Sequence, residues 1–221
     1  MAKTAFIGMG VMGAPMAGHL RTKGHEVTVY NRTAARAEAW AREHGGKAVK
    51  TPREAAKGAE IVFVMVGDDP DVRGVFYGDD GLLAGAAKGA IAVDHTTASA
   101  DLARELDAAC GKQGVSFIDA PVSGGQAGAV NGALTVMCGG SEAAFATAEP
   151  VMRAYGKAVT LMGPAGSGQL TKMVNQICIA GLVQALGEAV NFAKSAGLDT
   201  DRVLATISKG AAQSWQMENR W

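Results

Sequence analysis

The chain has 221 residues, long for one ordinary domain and short for two large ones. Hydrophobic residues make up 48% and charged residues 19%, and Lys+Arg and Asp+Glu stand at 21 each. This is a globular composition without the basic excess of a nucleic-acid protein. The 30 glycines against 3 Trp, 3 Tyr and 6 Phe, with no collagen-like period, point to tight turns and close helix–sheet contacts.

The first apolar run, TAFIG (4–8), reads as a strand. The opening MAKTAFIGMG carries one Lys and breaks at Gly8, so it does not read as a signal peptide. A helix is expected over about 12–23, then the strand EVTVY (26–30), a helix at 34–44, a short helix at 52–57 and the strand EIVFVMV (60–66). IAVD (91–94), a helix at 99–113, SFIDA (116–120), LTVMCGG (134–140), a helix at 142–155 and AVTLM (158–162) follow. Apolar runs separated by helices predict an α/β fold, a Rossmann-type, doubly wound, mostly parallel sheet covered on both faces. After Gly163 the texture changes. GPAGSG (163–168) leads into a helix running to about Ala196, Gly197 ends it, and a second helix is expected at 200–209. The domain boundary is therefore placed at 163, with a dinucleotide-binding domain at 1–163 and the start of an all-helical domain at 164–221. The longest apolar stretch, 173–187, is interrupted by Asn175, Gln176 and Gln184, so no membrane-spanning helix and no membrane partner are expected. Two helices make a poor core, and the segment ending at Trp221 reads as mid-domain. The helical part is thus expected to pair with another subunit or to be incomplete. Cys110, Cys138 and Cys178 are odd in number and lack CxxC spacing, which reads as reduced thiols in a cytoplasmic protein.

Gly8-Met9-Gly10-Val11-Met12-Gly13 matches G-x-G-x-x-G where a predicted strand ends and a predicted helix opens, the context that gives the pattern meaning. Its glycines allow a tight turn, the approach of pyrophosphate to backbone amides, and close helix–strand packing. The next strand ends in Asn31-Arg32-Thr33, where an NAD enzyme would usually place an acid for the ribose 2′-hydroxyl. No carboxylate is present to repel a 2′-phosphate, Arg32 offers a charged fork, and Arg36 follows one turn on. The cofactor expected is NADP rather than NAD. Met65 and Val66, and Thr96 in Asp94-His95-Thr96-Thr97, lie at further strand ends that should face the same crevice. His95 is a lone histidine and is assigned no chemistry. His19, His25 and His44 show no ligand spacing, so no metal is expected.

Asp119-Ala120-Pro121-Val122-Ser123-Gly124-Gly125 follows another strand, and its loop amides with the Ser123 hydroxyl suit a substrate carboxylate. Lys172 is the only basic residue between Lys157 and Lys194 and lies in a largely apolar helix, on one face with Gly168, Asn175, Gln176 and Ile179. A snorkelling or surface-paired lysine is the bland alternative. The sharper reading is a proton donor and acceptor: reducing a carbonyl leaves an alkoxide that needs a proton, and partial desolvation brings a lysine's pKa toward working pH. Asn175 could orient that lysine, and Gly168 could leave room for substrate.

Together FIGMGVMGAPMAGHL (6–20), DHTTAS (94–99), DAPVSGG (119–125) and GQLTKMVNQ (168–176) resemble the β-hydroxyacid dehydrogenase family, which includes 3-hydroxyisobutyrate dehydrogenase, tartronate semialdehyde reductase and glyoxylate/succinic semialdehyde reductases. The resemblance implies a Rossmann domain followed by a helical domain, a homodimer or homotetramer joined through the latter, and a small carboxylate-bearing substrate. It implies that Lys172 is catalytic, that Ser123, Gly124 and Gly125 hold the substrate carboxylate, that Asn175 supports the site, and that Thr96 contacts the cofactor. Gln176 stands where many members carry a second asparagine. Imine reductases share the glycine loop and the Asn-Arg-Thr segment but typically lack the lysine, as do non-catalytic relatives that use the dinucleotide domain for binding or oligomerisation. A 6-phosphogluconate dehydrogenase would need more basic groups for its substrate phosphate. The function expected is an NADP-dependent oxidoreductase of a small 3-hydroxy acid or the matching semialdehyde or 2-oxo acid.

Overall fold

The alternation of β-branched runs and Ala-rich stretches resolves, in a computed structural model describing residues Met1–Trp221, into nineteen strands and α-helices in chain order: β1 (Lys3–Ile7), α1 (Gly13–Thr22), β2 (Glu26–Tyr30), α2 (Ala34–His44), β3 (Lys47–Ala48), α3 (Pro52–Ala56), β4 (Ile61–Val64), α4 (Asp69–Phe76), β5 (Ile91–Asp94), α5 (Ala100–Lys112), β6 (Ser116–Asp119), β7 (Val122–Ser123), α6 (Gly125–Val130), β8 (Leu134–Gly140), α7 (Glu142–Met152), β9 (Gly156–Gly163), α8 (Ser167–Ser195), α9 (Thr200–Ile207) and α10 (Trp215–Arg220). All nine strands join one sheet of order β3-β2-β1-β4-β5-β6-β8-β7, with β9 paired to β8. The pairs from β3 to β6 are parallel; β8 runs antiparallel to β6 and β7 and parallel to β9. The fold is the Rossmann-type, mostly parallel sheet that the pattern predicts.

The register explains the near-continuous apolar strands. Phe6, Phe63, Val93 and Ile118 are opposite one another across β1, β4, β5 and β6 and form one buried row. Their neighbours Ala5, Val62, Ala92 and Phe117 form the row on the other face. Successive side chains alternate between faces, and helices cover both, so each strand is apolar throughout. The same register brings Ile7, Val64, Asp94 and Asp119 level at the carboxyl ends. The residues that follow them, Gly8, Met65, His95 and Ala120, are therefore presented along one edge.

The structure adds β3, α4, β7, α6 and α10 to the elements expected from the sequence. Helix α4 falls where the sequence reading assigns no element; its signal is Asp68, whose side chain accepts from the Asp71 amide, with Pro70 in the first turn. The DAPVSGG segment contains a two-residue strand and opens a short helix, so it is more ordered than a loop. By packing, the compact units are Met1–Lys172 and Met173–Trp221. The first turns of α8 stay with the sheet because Asp119 accepts from the Gly166 and Gln169 amides.

In the second unit, Gly197 (φ 69°) follows the end of α8, and Asp199 caps α9 by accepting from the amides of Asp201 and Arg202. Helix α8 also corrects the expectation drawn from polar interruptions. At 29 residues, with a mean hydropathy of 1.3 over its most apolar window, it is long and apolar enough by length and composition to cross a bilayer. Val174, Ile177, Val183 and Phe192 along it are exposed.

Candidate active site

Strand β1 ends at a turn that only glycine can make. Gly8 has φ 104°, and a β-carbon there would collide with the Met65 carbonyl oxygen; one at Gly13 would collide with the Gly8 carbonyl. Gly10 is different: a β-carbon there would meet nothing within 4 Å. The outer glycines serve packing, and the middle one leaves open backbone that a ligand can approach. No side chain caps α1 and its first turn carries no acid, so the helix's partial positive charge is left for an anion. These features fit a dinucleotide pyrophosphate.

A cleft of about 390 Å³ opens beside this turn. Gly8, Gly10, Asn31, Arg32, Thr33, Met65 and Val66 line it, as does Arg36. Met9, Val11, Met12 and Gly13 do not line it; Met9 is buried and Val11 is exposed. Asn31 organises the loop: its Oδ1 accepts from the Met9 amide at 2.9 Å and its Nδ2 donates to the Thr33 carbonyl at 3.0 Å. Arg32 Nη1 donates to Asp71 Oδ1 at 3.1 Å. Thr96 lies outside the cleft lining and is buried, its hydroxyl accepting from the Val66 amide at 3.1 Å.

The second cluster forms where β6 and α8 meet. Lys172 is buried, with 8% of its surface exposed, and its Nζ donates to the Val122 carbonyl at 2.9 Å. Burial disfavours the ammonium and lowers its pKa below the ordinary lysine value. Val122 precedes Ser123, which is half-buried, and the exposed Gly124 and Gly125. Gly124 has φ 133°, a conformation that side chains rarely tolerate. Asp119 holds the helix carrying the lysine. Oδ1 accepts from Gly166 N at 2.7 Å and Oδ2 from Gln169 N at 2.8 Å. Burial pushes this carboxyl up, and those backbone donors oppose the shift. Gln169 adds a second clamp, donating to the Thr96 carbonyl at 2.7 Å and accepting from Ala98 N at 3.1 Å. Gly168 does not make room for substrate as expected. A β-carbon there would lie 2.6 Å from the Asp119 carbonyl oxygen and collide with that of Met137, so this glycine lets the helix approach the strands.

His95 is fully buried, its Nδ1 2.7 Å from the Ala120 carbonyl and its Nε2 2.8 Å from the Tyr155 hydroxyl. A carbonyl only accepts, so Nδ1 carries the proton and Nε2 accepts from Tyr155. Burial pushes the His95 pKa down to about 4, which keeps the ring neutral. It fixes the start of the Ala120–Ser123 segment, with both ring nitrogens engaged. Asp94, beside it, is pushed up to about 7 by burial, while its bonds to Thr96 act the other way.

The structure thus tethers Lys172 to Val122, the residue before Ser123, Gly124 and Gly125, and brings Gly8, Gly10, Asn31, Arg32, Thr33, Met65 and Val66 into the cleft. Asn175 lies in the second unit, where its Nδ2 donates to Gln176 Oε1 at 3.1 Å. Sequence reasoning missed Asp119 and Gln169 as anchors, although both stand in the motifs DAPVSGG and GQLTKMVNQ, and it missed Asp71 and Tyr155, which carry no motif.

Residues 3–163 match the family model described as the NAD binding domain of 6-phosphogluconate dehydrogenase. Residues 166–221 match the one described as the NAD-binding of NADP-dependent 3-hydroxyisobutyrate dehydrogenase. The sequence is 62% identical over 221 residues to an uncharacterized oxidoreductase of Shewanella frigidimarina, covering 100% of this chain and 76% of that one. It is 37% identical over 216 residues to a 2-hydroxy-3-oxopropionate reductase of Escherichia coli, covering 98% and 73%. Among solved structures, a Mycobacterium tuberculosis 3-hydroxyisobutyrate dehydrogenase with L-serine is similar with a TM-score of 0.89 at 32% identity, covering 97% and 72%.

Proposed function

The chain belongs to the NAD(P)-dependent β-hydroxyacid dehydrogenase family, and from that premise we propose that it is an NADP-dependent dehydrogenase or reductase of a small 3-hydroxy acid, or of the matching semialdehyde or 2-oxo acid, with Lys172 as its acid–base group. The observation that carries the reading is the tethered lysine. One donor of the Nζ ammonium is engaged by the Val122 carbonyl at 2.9 Å, which leaves two for a substrate oxygen. Its lowered pKa eases proton release to a developing alkoxide, and the neutral amine can take the proton back in the oxidative direction.

A bound nicotinamide supplies the redox chemistry. The Gly10 backbone and the α1 N-terminus would hold its pyrophosphate, and Arg32 with Arg36 a 2′-phosphate. NADP over NAD is supported by these two arginines and by the absence of a carboxylate at the end of β2. The Ser123 hydroxyl and the Gly124–Gly125 backbone would take the substrate carboxylate. The L-serine named with the mycobacterial relative and the 2-hydroxy-3-oxopropionate of the E. coli reductase support a small, carboxylate-bearing substrate.

The test is steady-state kinetics on L-serine, 3-hydroxyisobutyrate, tartronate, glyoxylate and succinic semialdehyde with each cofactor. Turnover of at least one with NADP, reduced at least about a hundredfold in Lys172→Ala, is the expected result. Turnover with NAD alone would overturn the cofactor assignment, and activity on cyclic imines with none on the acids would overturn the substrate class. The exposed apolar side chains Val174, Ile177, Val183 and Phe192 of α8 support a homodimer or homotetramer formed through the helical unit. Light scattering on the purified chain and on Ile177→Asp tests it. A monomer that partitions into lipid vesicles would overturn the oligomer in favour of membrane association.

A further inference from the structure

We propose that Asp71 is a specificity-determining residue for the cofactor: its carboxylate holds the Arg32 guanidinium across the cleft and competes with a 2′-phosphate for it. The inference rests on the NADP reading. Both residues line the cleft, Arg32 from the turn after β2 and Asp71 from the first turn of α4. The two ends of the pair differ in freedom. Asp71 is fixed by its helix, its amide donating to the Asp68 cap at 3.1 Å, and its carboxylate lies so close over Gly67 that a β-carbon there would collide with Oδ2. The Arg32 side chain is 86% exposed, and Asp71 is its only partner, at 3.1 Å.

An ion pair this exposed is weak, so exchange for a better ligand costs little. A 2′-phosphate is such a ligand, because it carries more charge than a carboxylate and can take the guanidinium fork bidentately. Before it can do so, Arg32 must leave Asp71, and the released carboxylate then stands in the same cleft as the phosphate. Both effects tax NADP and neither touches NAD, which lacks the phosphate. Asp71 therefore narrows the preference that Arg32 and Arg36 create.

Asp71→Asn keeps size and helix position while removing the charge. Kd values for NADPH and NADH, from fluorescence titration of the purified chain with a thermal melt to confirm folding, give the readout without turnover. NADPH is expected to bind about three- to tenfold tighter and NADH within about twofold of wild type, the gain shrinking as salt rises. In an Arg32→Ala background the part of the gain that comes from freeing Arg32 should vanish, leaving only the relief of repulsion between the carboxylate and the phosphate, so the gain should shrink. An unchanged or lowered NADPH/NADH preference in Asp71→Asn, or a gain undiminished without Arg32, overturns the proposal. If Arg32→Ala weakens NADPH while Asp71→Asn leaves the preference alone, only the role of Asp71 falls. If Arg32→Ala itself leaves the preference unchanged, the NADP reading falls and this inference falls with it.

Discussion

The dinucleotide cleft and the lysine cluster both use the carboxyl ends of neighbouring strands, but they are held by different means. In the cleft the selective groups are open backbone at Gly10 and an exposed arginine with one exposed partner. Around the lysine, buried groups hold one another: Asp119 anchors α8, Gln169 bridges α8 to Thr96 and Ala98, His95 holds Ala120, and Val122 holds Lys172. Exposed pairs exchange at small cost, whereas a buried network that loses one member leaves the others unsatisfied. Changes in the cleft should move binding constants and little else, and changes in the lysine cluster should move turnover and stability together.

The largest expected effect is at Lys172. Lys172→Ala should lower kcat by roughly 10²–10⁴-fold, with the Kd for cofactor nearly unchanged because the cleft is built from other residues. Lys172→Arg should rescue little, since a guanidinium cannot release its proton at working pH. In the wild type, kcat for reduction should fall as pH rises through a pKa below the ordinary lysine value, and the Ala variant should lack that limb. Near-wild-type turnover in Lys172→Ala would break the comparison at its strongest point and return the imine-reductase and binding-module readings to contention. Next comes Asp119→Ala. It strips the buried amides of Gly166 and Gln169 of their acceptor, at about 1–3 kcal/mol of stability, and frees the helix that aims the lysine. A fall in kcat larger than any change in cofactor Kd is expected, with partial recovery in Asp119→Asn, which keeps one carbonyl acceptor. Equal losses in both constants would mean that the two regions are not separable.

The same contrast explains what was legible in the sequence. The cleft announces itself because its requirements are local: the glycines at 8, 10 and 13 follow one another within a single turn, and Arg32 stands directly at a strand end. Strand spacing and the order of helices were equally local, and so readable from apolar alternation. The lysine cluster joins residues far apart in the chain, such as Asp119 with Gly166, and His95 with Ala120 and Tyr155. Its reactive member showed itself as a charge on an apolar helix, but nothing in local spacing says which buried groups hold it. Helix α4 was missed because its short apolar face, Val72 and Phe76, is outweighed by the acids of DDPD, and those acids are its cap and first turn. Gly168 was misread because a missing side chain serves substrate access and close packing equally well, and only the neighbouring Asp119 and Met137 carbonyls decide between them.

The smallest expected effect on turnover is at His95, and with Asp94 it gives the sharpest test of the buried network. His95→Asn keeps an amide donor for the Ala120 carbonyl, so kcat should stay within a few-fold of wild type, roughly an order of magnitude or more above the loss at Lys172. A collapse of turnover would make His95 the acid instead. The stability signature is directional. The folded pKa of His95 is about 4, below its ordinary 6.5, so on acidification the unfolded chain takes a proton that the folded one refuses, and stability falls as pH drops through that window. Asp94 is the reverse: its folded pKa is about 7, above its ordinary 3.8, so the folded state keeps a proton that the unfolded one loses, and stability falls as pH rises. Between about pH 4 and 6.5 the two slopes oppose each other within one pair of adjacent buried residues. Thermal melts across that range should therefore show His95→Asn losing stability as pH rises and Asp94→Asn losing it as pH falls, relative to the flatter wild type, with the double variant flat again. Parallel profiles for all four chains would mean that neither group is held in the state its burial dictates, and that the lysine cluster is as solvent-accessible as the cleft.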